Sequence, residues 1–236
     1  MSPLSVTRDG GLVTACFDGT RGNALDHDRY ASLHTAADSV DAGEVLLIRA
    51  LGRNFCCGQD LTEYAAAAAD GRSAAQLRHG TAAILAVLRC RGMVIVAAQG
   101  AAIGAGALIV AAADVVVLAD DAWFRLPELE LGLPLGLAVA ERLAPAPVVR
   151  RMMLTGSRLT ADRLVEVATV VPTADLGAES QRLAEHVAGL DGRAVRTARR
   201  LWGADERERA AMAYELEVAA SVQALARSDP SIGAGS

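Results

Sequence analysis

The stretch Met93–Gly136, MVIVAAQGAAIGAGALIVAAADVVVLADDAWFRLPELELGLPLG, constrains the fold most, because it sets a glycine-rich turn between a buried strand and an all-apolar helical run. At such a turn the first backbone N–H groups of the helix lack partners within it and point outward, where they can hold a developing negative charge. Further along, Glu128 sits among leucines in LPELELG. Desolvation there raises a carboxyl's proton affinity. An anion cradle and a candidate base in one segment point to proton chemistry next to a carbonyl.

Around this segment, alternating apolar residues in Leu12–Phe17 and the apolar runs Val45–Ile48, Val94–Ala98 and Val115–Leu118 predict strands. Helical patterns separate them: Asp26–Val40, the alanine-rich Leu61–Leu88, and Ala107–Ala113. Strands alternating with helices give an α/β layer structure. From about Pro147 strand signals fade, and helical segments are predicted at Val148–Leu154, Thr160–Val167, Glu179–Ala188, Ala194–Trp202 and Asp205–Ala226. The expected organisation is an α/β core over 1–146 and a helical region over 147–236, with a disordered tail from about 228. Ala65–Gly71 is low in complexity and ends in Asp-Gly, which predicts a mobile loop or frayed helix.

With 236 residues, 52% of them hydrophobic, the chain can bury a core without disulfides or metals. Its net charge of −5 and 3% aromatic content leave neither a basic stripe nor stacking platforms for nucleic acid. Every basic side chain other than histidine is arginine, which fits GC-rich coding, and the arginine-dense Arg193–Arg209 reads as a solvated helix face. The apolar runs fall short of the roughly 18 residues of a membrane span, and the start MSPLSVTRDGG lacks a secretory layout. A soluble, cytoplasmic protein is expected. Cys16, Cys56, Cys57 and Cys90 have no paired metal-ligand spacing and read as reduced, buried thiols; Trp123 is expected in the core.

Gly100, Gly104 and Gly106 after a strand, with Asp120 closing the next one, imitate a dinucleotide-binding unit. The fingerprint is broken, since Gly104-Ala105-Gly106 is followed by Ala107, Leu108 and Ile109, and the intervening helix is too short for a full crossover. Asn54-Phe55-Cys56-Cys57-Gly58-Gln59-Asp60-Leu61 is a second strand-to-helix turn, with an acidic cap. It supplies another outward N–H, at Gln59, and two such donors can polarise one carbonyl oxygen.

Asn23-Ala24-Leu25 is similar to the N-A-L signature of the crotonase superfamily, also called the enoyl-CoA hydratase/isomerase family, and Phe55–Leu61 to its turn ending in G-x-D-L. Val94–Asp114 resembles its glycine-rich segment, Phe124–Gly136 its P-E segment, and Thr155–Ala161 its later T-G motif. Five motifs in the expected order cover nearly the whole chain. The resemblance implies a spiral of ββα units followed by a helical trimerisation region. It also implies an acyl-CoA thioester as partner, no cofactor beyond the coenzyme A of that substrate, and a homotrimer or dimer of trimers. By position, the oxyanion-hole N–H groups fall on Gln59 and on Ala105, where the family usually has glycine, and the catalytic glutamate of P-E on Glu128. Arg21, Ala24, Cys57 and Leu61 fall along the CoA entrance, with Gly58, Asp60, Gly104 and Gly106 in the two turns that frame the substrate.

Leu108 is the departure with most consequence, because family hydratases carry a first catalytic glutamate there. Hydration asks one group to activate water and another to handle the second proton, and losing one costs roughly 10²–10⁴ in rate. Moving a double bond needs one base only, so isomerisation through Glu128 is the expected activity. Weak hydration is one alternative; a non-catalytic acyl-CoA-binding or assembly subunit is the other. Glu130 is a weaker substitute base, His79 a bystander on the long helix, and the pocket's shape rests on Tyr64–Arg78.

Overall fold

The computed structural model describes residues 4–228. It begins with β1 (Ser5–Asp9), β2 (Leu12–Phe17), α1 (His27–Asp38) and β3 (Val45–Ala50), then α2 (Leu61–Ala69), α3 (Ser73–Leu88) and β4 (Met93–Ala98). Next come β5 (Ala101–Ile103), α4 (Ala105–Ala112), β6 (Val115–Ala119), β7 (Trp123–Arg125), α5 (Leu137–Ala140) and α6 (Ala146–Thr155). The chain continues through β8 (Leu159–Thr160), β9 (Thr169–Val171), α7 (Leu176–Ala188), α8 (Gly192–Leu201) and α9 (Ala204–Ser228).

Six strands form one sheet in the order β1-β2-β3-β4-β6-β9, parallel except for the β1–β2 hairpin, and β5-β7-β8 form a second. The apolar runs face two cores because strand side chains alternate. Leu46, Ile48, Val94 and Val96 enter the larger core, which includes residues of α1, α3, α4 and α9; Val45, Leu47, Ile95 and Val117 enter a smaller one beneath α7. Burial on both faces explains why these strands read as continuous apolar runs. After β4 the chain turns at Gly100, whose φ of +55° suits glycine, and starts β5 in the second sheet. β6 and β7 repeat that step. These are the expected strand–strand–helix units.

Several expectations are corrected. The helical pattern Leu61–Leu88 breaks into α2 and α3 at Asp70–Arg72, so Ala65–Gly71 is helical through Ala69 and then turns. Thr160–Val167 is not an α-helix: Leu159 and Thr160 pair with β7, and only a short 3-10 turn, Ala161–Arg163, follows. The region after Pro147 also returns β9 to the main sheet. Strands of two or three residues carry too little pattern to stand out from their neighbours.

The Arg193–Arg209 run is not uniformly solvated. Arg199 and Arg207 are buried, with Arg199 Nε 3.0 Å and Arg207 Nη1 3.3 Å from the Asp114 carboxylate, which also accepts the Val94 N–H at 2.8 Å. Charges taken from water need such pairing, and here it clamps α8 and α9 to the start of β6. Trp123 is half-buried, its ring covered by the Arg158 guanidinium at 3.9 Å. No described helix is long and apolar enough to cross a membrane.

Candidate active site

The two glycine turns meet. Leu25 donates its N–H to Gly58 O at 2.7 Å and accepts from Asp60 N–H at 2.9 Å, pinning the backbone on both sides of Gln59. Gly58 has φ +83°; a Cβ there would lie 2.7 Å from Ile103 O and 3.8 Å from Ala105 N, so the turns pack backbone to backbone. Neither the Gln59 nor the Ala105 N–H has a protein acceptor among the described residues. Ala105 opens α4 without strain, because the positive φ at this turn falls on Gly104, at +53°. Alanine in place of glycine therefore leaves the donor available.

Glu128 begins a 3-10 turn, Glu128–Leu131, after β7. Its Oε1 packs against Gly104, 2.9 Å from where a Cβ would stand, and its buried Oε2 has no hydrogen-bond partner. Burial raises its pKa to about 8, with its own backbone N–H opposing and the charge of Glu130 adding to the rise. Arg125, the nearby cation that would have reversed this, pairs with Glu130 at 2.7 Å instead. Glu130 itself is exposed.

These groups line one cavity of about 360 Å³. Of the residues singled out from the sequence, Cys57, Gly58, Gln59, Leu61, Gly104, Ala105, Leu108 and Glu128 contribute to its wall. Leu108 is buried and meets Gly136, making that wall apolar where a second carboxylate would have stood. Arg21, Ala24, Asp60 and Gly106 lie outside the lining. Asp60 caps α2 through the N–H groups of Thr62 and Glu63 and pairs with Arg21 at 2.7 Å. Gly106 lets α4 approach the backbone of Cys56, whose carbonyl a Cβ would overlap.

Sequence reasoning missed the polar half of the wall: Tyr30 from α1, Gln76 and Thr81 from α3, and Tyr214 from α9. Both phenols are buried, and both have raised pKa values from desolvation above all, the Glu128 charge adding to the rise. Tyr30 and Gln76 sit in segments whose helical pattern was plain, but nothing in that pattern tells which helix face meets a cavity. His79 stacks on His27 with ring centroids 3.9 Å apart, beside the cavity wall rather than in it.

The four cysteines are free, but only Cys56 and Cys90 are buried as expected; Cys16 and Cys57 are half-buried, and burial pushes the Cys56 thiol up to about 12. Among the described residues no group of three or more His, Cys, Asp or Glu side chains could hold a metal ion.

Residues 20–231 match the family model described as enoyl-CoA hydratase/isomerase. A protein of Rhodococcus jostii named (7aS)-7a-methyl-1,5-dioxo-2,3,5,6,7,7a-hexahydro-1H-indene-carboxyl-CoA hydrolase is 35% identical over 209 residues, 84% of this chain and 80% of that one. A peroxisomal Delta(3,5)-Delta(2,4)-dienoyl-CoA isomerase of Arabidopsis thaliana is 33% identical over 135 residues, 51% of this chain and 49% of the other. The crystal structure of an enoyl-CoA hydratase/isomerase from Mycobacterium paratuberculosis superposes with a TM-score of 0.82 at 26% identity, covering 94% of this chain and 93% of that one.

Proposed function

The chain belongs to the enoyl-CoA hydratase/isomerase family, and on that premise we propose that it shifts a double bond along the acyl group of a CoA thioester with Glu128 as the one proton carrier. The observation that carries this reading is a single buried carboxyl with a free oxygen, resting against the turn that presents one of two unpartnered N–H groups. The Gln59 and Ala105 N–H groups bind the thioester carbonyl oxygen. Glu128, as carboxylate, takes a proton from C2 of a 3-enoyl thioester, and the electron pair delocalises into a dienolate whose oxygen those two donors hold. The protonated Glu128 then delivers the same proton to C4, giving the conjugated 2-enoyl thioester. A pKa near 8 suits both halves of this cycle, since neither protonation state is far from the operating pH. Leu108 leaves no second carboxylate in the wall to activate water.

Hydrolysis is the second reading, favoured by the name and coverage of the Rhodococcus relative. In it Glu128 takes a proton from a water molecule as that water attacks the thioester carbonyl, and the same two N–H groups hold the tetrahedral oxyanion. The C–S bond then breaks, the proton returning from Glu128 to the departing CoA thiolate. Coenzyme A enters as part of the substrate, and the working form is a homotrimer or a pair of trimers in the cytoplasm. Incubation with a 3-enoyl-CoA separates the readings. Isomerisation gives the ultraviolet absorbance of the conjugated thioester with no new acid group, whereas hydrolysis gives a carboxylate.

A further inference from the structure

Resting on the acyl-CoA reading above, we propose that the acyl group carries an oxygen of its own, a ketone or hydroxyl beyond the thioester carbonyl, held by Tyr30 and Gln76. Among the described residues seven buried side-chain polar atoms have no hydrogen-bond partner. Four of them, Gln59 Nε2, Gln76 Oε1, Arg125 Nε and Glu128 Oε2, belong to residues lining this one cavity. Buried polar groups are paired as a rule, so this concentration marks a place that polar ligand atoms fill. The thioester and its C2 proton account for the oxyanion turns and Glu128. They leave Tyr30, Gln76, the Gln59 side chain and Arg125 Nε unused.

Tyr30 and Gln76 both line the cavity. Gln76 and Gly80 lie four residues apart on α3 and so share a face. Gly80 leaves room for the Tyr30 ring, since a Cβ there would stand 3.3 Å from the phenolic oxygen. The Tyr30 hydroxyl thereby lies against α3 at Gly80, one helical turn from Gln76. Tyr214 lines the same wall from α9, as does Thr81, whose hydroxyl donates to Leu77 O at 2.8 Å. A hydroxyl on the substrate accepts from Tyr30 and donates to Gln76 Oε1; a ketone accepts from Tyr30 and, with the amide turned over, from Gln76 Nε2. A plain alkyl chain would strand both groups, and sites built around a polar contact reject the analogue that lacks it. The cavity, at about 360 Å³, is at the small end for ligand sites, which favours a compact acyl group over a long one.

The test uses the full chain and calorimetric titration with free CoA, hexanoyl-CoA, and hexanoyl-CoA bearing a ketone at C4 or C5 or a hydroxyl at C4, C5 or C6. At least one oxygenated thioester should bind about ten- to a hundredfold tighter than hexanoyl-CoA. Tyr30→Phe and Gln76→Leu should each bring that ratio toward one, and the ketone and hydroxyl arms separate the two chemistries. Circular dichroism checks each fold, and Gln76→Leu, at a less buried position, carries the test if Tyr30→Phe does not fold. Equal binding of hexanoyl-CoA and every oxygenated thioester, or a preference that survives Gln76→Leu, overturns the proposal while leaving the acyl-CoA reading standing. If no thioester binds better than free CoA, the acyl-CoA reading falls and this inference with it.

Discussion

A Cβ built on Gly104 would lie 2.9 Å from Oε1 of Glu128, so the candidate base rests directly against the residue that precedes an oxyanion donor. Proton transfer at C2 and charge stabilisation at the adjacent oxygen need that proximity. Gly104→Ala should disturb both at once, since φ +53° strains any other residue and the new methyl group pushes on the carboxylate. Exchange of the C2 proton of a bound acyl-CoA with solvent deuterium should fall by about a hundredfold, the scale of an ångström-sized misplacement. Mass spectrometry of recovered thioester measures it.

The raised pKa of Glu128 sets the pH dependence of that exchange. With the carboxyl titrating at about 8, only roughly a tenth is ionised at pH 7. The exchange rate should rise tenfold per pH unit below about 8 and level off above it, because the carboxylate is the reactive form. A profile already flat at pH 6 would mean that the base titrates in the ordinary carboxylate range.

Leu108 fills the wall position of the missing carboxylate, one turn inside α4. Leu108→Glu should increase hydration of a short 2-enoyl-CoA, by up to the roughly 10²–10⁴ that a general acid or base contributes. The same change buries a second carboxyl near Glu128, so the unfolding temperature should drop. No gain in a folded variant would assign the exclusion of hydration to the pocket's shape.

Much of this arrangement was legible before the fold was known. The strands at Val45–Ala50, Met93–Ala98 and Val115–Ala119 announce themselves because each is buried on both faces, Leu12–Phe17 by its alternation, and the two glycine turns because close backbone approach leaves no room for a Cβ. Glu128 was marked by its leucine neighbours, and desolvation does dominate its environment. What stayed hidden depends on distant parts of the chain. Arg199 and Arg207 look like surface charge until Asp114 is found beneath them, and Tyr214 enters the cavity from a helix whose pattern carries no such signal. Pairing across long sequence separations leaves no local trace.

The C-terminal helices present apolar side chains that the described fold does not cover. Leu201, Trp202 and Leu216 are each about 70% exposed, at the end of α8 and along α9. Exposed apolar surface of this kind favours association. Sedimentation velocity at micromolar concentration should show a trimer or larger, and a Trp202→Glu, Leu216→Glu variant should sediment as a smaller species with unchanged helicity. A monomer in the unaltered protein would remove the assembly from the proposed function.

Glu128→Gln should separate chemistry from stability. The amide keeps the volume but cannot accept the C2 proton, so deuterium exchange should fall by about 10²–10⁴ while thioester affinity changes only slightly. Stability should move the other way, by an amount that grows as pH rises above 4.5. The folded protein holds the Glu128 proton up to about pH 8, whereas the unfolded chain releases it near 4.5, so between those values the folded state binds more protons and loses stability as pH rises. The penalty is absent below pH 4.5 and complete above about 8, where it amounts to a few kcal/mol, and glutamine removes it. Urea unfolding at pH 8.5 should therefore show the variant more stable than the wild type, with the two converging toward pH 4.5. Full exchange in a correctly folded variant would show that Glu128 is not the base. Equal stabilities at pH 8.5 would show that its burial is relieved, and that water reaches the carboxyl in the folded protein.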